Sequence, residues 1–261
     1  MTAADNDCVL AAAAVFDARP CDLGEGALWH VGRQTLFWFD ITGRRLLWRG
    51  PEGAGAQALP EMHSAAARIA GDDGALLVAS ETGLWRLDLA TGARSLLCPL
   101  EAGDARTRSN DGRADPQGGF WIGTMGKRLE PGAGAIWRWH RGAARRLFGG
   151  ITIPNAIAFD PGGGHAYFTD TARACVMRVP LDAEGWPSGA PAVFRDLAPE
   201  GLNPDGAVTD AAGNLWIAEW GTGRVAAYGP DGRRVGVVPV AAPHASCPAF
   251  GGPDLTTLYV T

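Results

Sequence analysis

The chain has 261 residues, and 46% of them are hydrophobic, which is enough to bury the core of a domain. A formal net charge of −5 at pH 7, with no basic stripe, argues against a nucleic-acid partner. No apolar run approaches the ~20 residues of a membrane span, so we expect no membrane partner either.

The first residues and the cysteines indicate where the protein works. An apolar run from Val9 to Phe16 follows Asp5 and Asp7, whereas a secretory signal peptide carries lysine or arginine at that place. Five scattered cysteines without a CxxC pair favour a reducing compartment and argue against structural zinc. We therefore expect a cytoplasmic protein, monomeric or weakly dimeric.

A short strand pattern recurs along the chain, and we interpret it as the second strand of a repeating unit. Its copies are Leu36–Asp40, Leu76–Ser80, Phe120–Thr124, Tyr167–Thr171, Leu215–Glu219 and Leu258–Thr261. Their first residues are 40 to 48 apart, and Gly-, Pro-, Asn- or Asp-rich turns precede most of them. A further strand follows most copies, at Arg44–Trp48, Gly83–Leu87, Ala135–Trp139, Val176–Val179 and Arg224–Tyr228.

A period of ~40–50 residues with four strands per unit is typical of a β-propeller. Six copies predict an all-β fold in which residues 1–261 form one six-bladed β-propeller domain. The last blade is expected to be incomplete at the C-terminus, because the chain stops at Thr261 inside that unit. An ordinary β-sandwich is the alternative, although it would not need so regular a period.

The register of the repeat selects candidate site residues. Counting back 14 or 15 residues from the polar end of each second strand leads to Glu25, Asn110, Asn155, Asp205 and Cys247, and in the second unit to the vicinity of His63. The inner strand of each blade lines the central channel, so these side chains are expected to converge at its mouth. Carboxylate and amide oxygens suit Ca²⁺, Mg²⁺ or Mn²⁺ better than zinc in a sulfur or histidine cage.

Each candidate also has a purely structural interpretation. Glu25, Asn155 and Asp205 could be turn residues, and Asn110 begins an Asn-Asp-Gly sequence that is common in hairpins. His63 fits a pocket or a strand edge equally well. The polar residues that end the second strands, such as Asp40 and Asp170, are expected to tie adjacent blades together rather than to touch a substrate. The chain has no GxSxG, HExxH, P-loop or GxGxxG motif.

Five stretches resemble the senescence marker protein/gluconolactonase/regucalcin family, six-bladed propellers that hydrolyse sugar lactones. They are LGEGALWH (Leu23–His30), RSNDGRADPQGGFWIGTMG (Arg108–Gly126), IPNAIAFDP (Ile153–Pro161), GLNPDGAVTDAAGNLW (Gly201–Trp216) and CPAFGGPDLTTLYVT (Cys247–Thr261). Family chains usually continue for a few tens of residues beyond this point. The resemblance therefore implies either a truncated sequence or closure of the ring by the N-terminal segment Val9–Ala18.

The resemblance also implies a set of site residues. One divalent metal ion (Ca²⁺, Zn²⁺, Mg²⁺ or Mn²⁺) would be held by Glu25, Asn155 and Asp205, and Arg108 and Asn110 would grip substrate oxygens. His63 and Arg128 complete the expected substrate-binding set. Some family members have a glutamate where this chain has Arg128, so specificity does not carry over; Glu130 is a candidate substitute.

These features predict a metal-dependent lactonase that converts a sugar-acid lactone of the gluconolactone or arabinonolactone type to the aldonic acid. The metal would stabilise the oxyanion, and Asp205 would serve as general base for the attacking water. Lys127 and Arg128 favour acidic or highly hydroxylated substrates. The alternatives are a non-catalytic calcium-binding regulatory propeller and a promiscuous phosphotriesterase at the same metal site.

Overall fold

The structure is a computed structural model that describes residues 8–261. Asp5 and Asp7, on which the expected lack of a signal peptide depends, lie outside the described residues. The helical elements in this range are three 3-10 turns, Val31–Arg33, Thr171–Arg173 and Ala198–Glu200. None of the helices between residues 8 and 261 has the length and apolar character needed to cross a bilayer.

The strands are numbered in chain order, beginning with β1 (Cys8–Val9). Blade one contains β2 (Gly24–His30), β3 (Thr35–Asp40), β4 (Arg45–Gly50) and β5 (Gly53–Ala58). Blade two contains β6 (His63–Ile69), β7 (Asp72–Ser80), β8 (Gly83–Asp88) and β9 (Arg94–Pro99). Blade three contains β10 (Thr107–Ala114), β11 (Phe120–Gly126), β12 (Gly134–His140) and β13 (Ala143–Ile151).

Blade four contains β14 (Pro154–Phe159), β15 (His165–Asp170), β16 (Cys175–Pro180) and β17 (Ala192–Asp196). Blade five contains β18 (Asn203–Thr209), β19 (Leu215–Trp220), β20 (Arg224–Tyr228) and β21 (Arg234–Pro239). A separate two-stranded sheet contains β22 (Pro248–Gly251) and β23 (Thr257–Val260).

This arrangement confirms the all-β propeller but not the number of blades. Residues 8–261 form five blades of four or five strands, and the predicted six-bladed ring with an incomplete last blade is not confirmed. The sixth sequence copy does form β23, but β22 is its only partner in the sheet. A count of recurring second strands therefore exceeds the number of complete blades.

The N-terminal segment joins blade five. Strand β1 pairs in parallel with β21, where Cys8 lies opposite Gly236, and so gives that blade its fifth strand. Further along the segment, the ring of Phe16 packs edge-on against Tyr259 of β23, with 4.9 Å between centroids. The segment thus contacts both neighbouring sheets without adding a strand to β22 and β23.

The core lies between neighbouring blades, because alternate residues of the inner strands face the next sheet. Between blades one and two it includes the buried side chains of Phe39, Leu46 and Val78. Between blades three and four, Trp121 packs edge-on against Phe159 with ring centroids 5.5 Å apart. Trp121 thus fills part of the space between these two blades.

The polar ends of the second strands hold their own blades rather than adjacent ones, which corrects the prediction. Oδ1 of Asp40 accepts hydrogen bonds from the backbone of Asp22 and Leu23, each 3.1 Å long, in the loop that enters blade one. Asp170 accepts from Thr152 and Ile153 in the same way in blade four. These carboxylates fix the entry loops from which the inner strands begin.

Every inner strand has a β-bulge at the same place. The ladder register shifts between Glu25 and Leu28, His63 and Ala65, Ser109 and Gly112, Asn155 and Ala158, and Pro204 and Ala207. In blade one the bulge requires Gly26, whose φ is +63° and where a Cβ would lie 2.2 Å from the carbonyl oxygen of Ser64. A bulge re-aims the side chains beside it, so each inner strand presents one or two residues outside the regular ladder.

Candidate functional site

The structure brings the four oxygen-bearing candidates together at one end of the channel. Glu25, Asn110, Asn155 and Asp205 are only 3–7% exposed, and each lies in or beside the bulge of a different blade. Nδ2 of Asn110 donates a 2.8 Å hydrogen bond to Oδ1 of Asn155. Glu25 and Asp205 are close enough for each charge to affect the other. These four residues therefore form one cluster rather than four unrelated turns.

Ser246 holds the backbone on both sides of the two carboxylates. Its Oγ donates a 2.5 Å hydrogen bond to the carbonyl oxygen of Gly24, the residue before Glu25. Its own carbonyl oxygen accepts from the backbone N–H of Gly206, the residue after Asp205, at 2.7 Å. The loop that leads into β22 thus fixes blades one and five relative to each other at the mouth.

Burial dominates the electrostatics of the carboxylates. Burial raises the pKa of Glu25, and the negative charge of Asp111 raises it further. Burial also raises the pKa of Asp205 well above its usual range, and Glu25 and Asp111 add to that increase. The nearby Arg108 guanidinium and one backbone N–H at each carboxylate lower both values, but they do not offset the burial.

The two carboxylates lack a bonded cation. Glu25 accepts a hydrogen bond from the backbone N–H of Gly26, at 3.2 Å, and no side chain in residues 8–261 donates to Asp205. Arg108 Nη1 instead donates to the carbonyl of Ser109 and to Oδ1 of Asn110, both at 2.8 Å. Since unpaired buried charges are costly, a small divalent cation between the carboxylates would offset the repulsion.

The donor set fits such an ion. Two carboxylates and the amide oxygen of Asn155 are the hard oxygen ligands that Ca²⁺, Mg²⁺ and Mn²⁺ prefer, and zinc also accepts carboxylate oxygens. In the described part of the chain no three His, Cys, Asp or Glu side chains form a metal cluster. That result leaves the expected set untested, because one of its three members is an asparagine.

Asp111 is a member of the site that the sequence analysis missed. It is 4% exposed, and its Oδ2 accepts a 2.7 Å hydrogen bond from the backbone N–H of Ile157 in blade four. Burial raises its pKa as well. In the sequence Asp111 looked like part of an Asn-Asp-Gly turn. Its position inside the inner strand, directly after a channel residue, was the signal that could have identified it.

His63 lies at the same end of blade two, but its ring is bonded within the protein. Nδ1 is 2.9 Å from the carbonyl oxygen of Glu61, and Nε2 is 2.9 Å from Nη1 of Arg94. The ring also stacks on Phe39, with 6.3 Å between centroids. Burial lowers the pKa of His63 to about 4, because the charged ring would lose its hydration. The carbonyl and guanidinium partners together require a neutral ring with the proton on Nδ1.

A pH titration should detect this buried ring. The unfolded chain protonates His63 near its ordinary pKa of 6.5, whereas the folded chain does so only near 4. Below pH 6.5 the unfolded state therefore binds more protons, and folding stability falls as the pH falls. We expect wild type to lose about 1.4 kcal/mol per pH unit more than His63→Gln between these two values. Urea unfolding at several pH values measures the difference.

His165→Gln is the comparison variant, because it removes a histidine ring that is 44% exposed and therefore keeps much of its hydration. Parallel stability curves for wild type and His63→Gln would contradict a buried neutral ring at position 63.

The side-chain charges of Lys127 and Arg128 differ in whether they are paired within the protein. Lys127 Nζ pairs with Glu81 and donates a 2.9 Å hydrogen bond to the carbonyl of Ala105. Arg128 is exposed, and its backbone N–H donates to Oε2 of Glu130 at 3.0 Å. Its guanidinium makes no hydrogen bond or ion pair within residues 8–261. Only Arg128 of the two keeps its charge free to act on a ligand.

Residues 8–261 enclose two notable cavities. One of about 310 Å³ is lined by inner-strand residues that include Gly26, Arg113 and Cys247. Burial raises the pKa of the Cys247 thiol, which argues against a nucleophilic role for it. A larger cavity of about 740 Å³ lies between β23 and the segment around Phe16, and none of the predicted site residues, all of which the structure describes, lines it.

Comparison with known proteins gives consistent matches over the chain. The model of the "SMP-30/Gluconolactonase/LRE-like region" family matches residues 23–261. A "Putative sugar lactone lactonase" of Rhizobium meliloti is 42% identical and covers 92% of this chain and 82% of its own. A "6-deoxy-6-sulfogluconolactonase" of Pseudomonas putida is 34% identical, with 93% and 84% covered.

One solved structure resembles the fold closely. It is described as a calcium-binding protein, regucalcin, from Agrobacterium tumefaciens. It superposes with a TM-score of 0.94 at 42% sequence identity, covering 97% of this chain and 86% of that one.

Proposed function

Because the chain belongs to the SMP-30/gluconolactonase/LRE-like family, we propose that it is a divalent-metal-dependent hydrolase of sugar-acid lactones. The product would be the aldonic acid of a gluconolactone- or arabinonolactone-type substrate. The observation that carries the proposal is the pair of buried carboxylates, Glu25 and Asp205, which lack a bonded cation. The names of the lactonase relatives support the type of substrate.

In this proposal Glu25, Asn155 and Asp205 hold the metal. The ion would act as a Lewis acid that withdraws electron density from the lactone carbonyl. The remaining chemistry is assigned to side chains of this chain. Asp205, which needs only one oxygen for binding an ion, takes the proton of the attacking water with the other.

Arg108 and Asn110 bind the substrate in this proposal. Arg108 uses Nη1 to hold Asn110, and its Nε and Nη2 make no hydrogen bond within residues 8–261. These N–H groups can donate to ring hydroxyl or carbonyl oxygens, and the fixed geometry orients the lactone for attack. His63 acts at the edge of the pocket, and its bonded ring nitrogens leave it a role in shape rather than in proton transfer.

We propose that Arg128 favours acidic or highly hydroxylated lactones over plain aliphatic ones. Its charge is exposed, whereas that of Lys127 is paired with Glu81. A relative that is 34% identical is named for a lactone with a sulfonated sixth carbon, which supports an anionic substituent on the substrate.

A second candidate function is a non-catalytic calcium-binding propeller. It is favoured by the description of the similar solved structure as a calcium-binding protein. The same buried carboxylates would serve this role, so the site geometry alone does not separate the two functions. The two functions differ in whether the metal-loaded protein hydrolyses a lactone.

A pH-stat assay separates them. We expect acid release from gluconolactone and arabinonolactone above the spontaneous rate, loss of that activity with a chelator, and its recovery when Ca²⁺, Mg²⁺, Mn²⁺ or Zn²⁺ is returned. Metal binding without acid release from any lactone would support the calcium-binding propeller. Butyrolactone is the test of preference, and its hydrolysis at the rate of the sugar lactones would contradict the role of Arg128.

A further inference from the structure

Thr171 links two of the proposed metal ligands. It is the first residue of the 3-10 turn Thr171–Arg173, and it was predicted only as the end of a strand. Its Oγ1 lies 2.7 Å from the carbonyl oxygen of Pro204, the residue before Asp205. It also lies 2.9 Å from Nδ2 of Asn155. One hydroxyl group of blade four thus contacts a ligand of its own blade and the backbone beside a ligand of blade five.

The direction of these hydrogen bonds is fixed by chemistry. A carbonyl oxygen only accepts, so the Thr171 hydroxyl must donate its single proton to Pro204. The oxygen of Thr171 is then free only to accept, and only the NH₂ end of the Asn155 amide can donate to it. The Asn155 side chain is therefore held with Nδ2 toward Thr171 and Oδ1 on the opposite side.

The hydrogen bonds from Arg108 through Asn110 to Asn155 require the same orientation of the Asn155 amide. The Arg108 guanidinium only donates, so the atom of Asn110 that it contacts must be Oδ1, at 2.8 Å. Asn110 Nδ2 then faces away from Arg108 and donates to Oδ1 of Asn155, also at 2.8 Å. This agreement matters because an asparagine binds a cation through its oxygen, and a reversed amide would present N–H groups to the ion.

We propose that Thr171 is a positioning residue of the metal site: its hydroxyl, fixed by its hydrogen bond to Pro204, turns the Asn155 oxygen toward the ion. This inference rests on the proposed function, since it assumes that Asn155 and Asp205 bind the metal. Removing a hydrogen bond to the side chain of a metal ligand typically weakens metal binding by about 10–100-fold.

Thr171→Val tests the hydroxyl with little change of shape. Valine is also β-branched, and the backbone of Thr171 is held independently by a 2.9 Å hydrogen bond to Ile153. We expect the metal dissociation constant, measured by isothermal titration calorimetry with Ca²⁺ and Mn²⁺, to rise about 10-fold. Thr171→Ser keeps the hydroxyl and should remain within about twofold of wild type.

Thr209→Val is the matched control. Oγ1 of Thr209 donates a 2.5 Å hydrogen bond to the carbonyl of Phe159, so it joins the same two blades at the other end of β18. Its replacement removes an equivalent contact between blades without touching the site. We expect a loss of stability like that of Thr171→Val, with unchanged metal affinity.

A second variant, Asn155→Asp, separates the orientation of the Asn155 amide from a general loosening of the site. In Asn155→Asp both terminal side-chain atoms are oxygens, so orientation no longer matters. Adding Thr171→Val to this variant should weaken metal binding by less than about threefold, against about 10-fold when Asn155 is retained.

Three results would overturn the inference. Thr171→Val could bind metal as tightly as wild type, Thr171→Ser could be as weak as Thr171→Val, or the loss could persist in full in the Asn155→Asp background. Each of these leaves lactone hydrolysis by the wild type intact. A wild type that binds no divalent ion would overturn the positioning role and the metal-dependent function together.

Discussion

Replacement of Asp205 by asparagine is expected to lower kcat by about 10²–10⁴-fold, the usual contribution of a positioned acid or base. Asparagine keeps an oxygen for the metal and nearly the same volume, but it removes the negative charge and the basic oxygen. Metal affinity should fall as well, because Glu25 would be the only charged ligand left. The measurement is turnover by pH-stat at saturating metal, so that weaker binding is not mistaken for slower chemistry.

Asp210→Asn is the matched control just beyond the opposite end of the same strand. Oδ2 of Asp210 accepts hydrogen bonds from Asn214 at 2.8 Å and from Trp216 at 2.9 Å, so this change should cost stability and leave kcat unaltered. Near-normal turnover in metal-loaded Asp205→Asn would instead place the base elsewhere.

Replacement of Glu25 by glutamine should change metal affinity and stability in opposite directions. Loss of a charged ligand is expected to weaken metal binding by at least about 100-fold, more than the loss of an outer contact does. The metal-free protein should become more stable by about 1–3 kcal/mol, since a buried carboxylate that is costly to ionise is replaced by a neutral amide. The gain should grow as the pH rises above the ordinary glutamate pKa of about 4.3, because the folded chain resists deprotonation of Glu25 and the unfolded chain does not.

Calorimetric titration with metal measures the change in affinity. Urea unfolding in the presence of a chelator measures the change in stability of the metal-free protein. Glu219→Gln is the contrasting control, because this buried carboxylate is paired with Arg224 and accepts a 2.6 Å hydrogen bond from Tyr228. Its replacement should destabilise the protein and leave metal affinity unchanged. If Glu25→Gln destabilises the metal-free protein to the same extent, the Glu25 carboxylate has a structural partner in solution and the proposed site loses its main support.

The strands were predictable from the sequence because the signals are local. Alternation in Leu36–Asp40 and the Gly- and Asp-rich turns before most copies are properties of a few adjacent residues, and the structure has strands at all six copies. The number of blades was not predictable in this way, because it depends on which strands pair. Leu258–Thr261 has the pattern of the second strand of a blade, yet within residues 8–261 β23 pairs only with β22.

The candidate site followed from the register because the bulge recurs at the same place in each blade. That regularity is why counting from Asp40 or Glu219 reached Glu25 and Asp205. Asp111 and Thr171 were missed for the opposite reason. Their roles depend on hydrogen bonds to Ile157 and Pro204 in neighbouring blades, and no spacing within one repeat reveals such contacts.

The bulges also bear on how such a protein can change its chemistry. On both sides of each bulge the ladder is regular, as at Ser109 opposite Thr124 and Gly112 opposite Ile122, so strand pairing within the blade does not rely on the side chains between them. Each blade contributes its mouth residue from in or beside its own bulge, and contacts such as that between Asn110 and Asn155 join these residues across blades. A new specificity can therefore arise by single substitutions, one blade at a time, while the inherited scaffold stays in register and most intermediates along the way still fold.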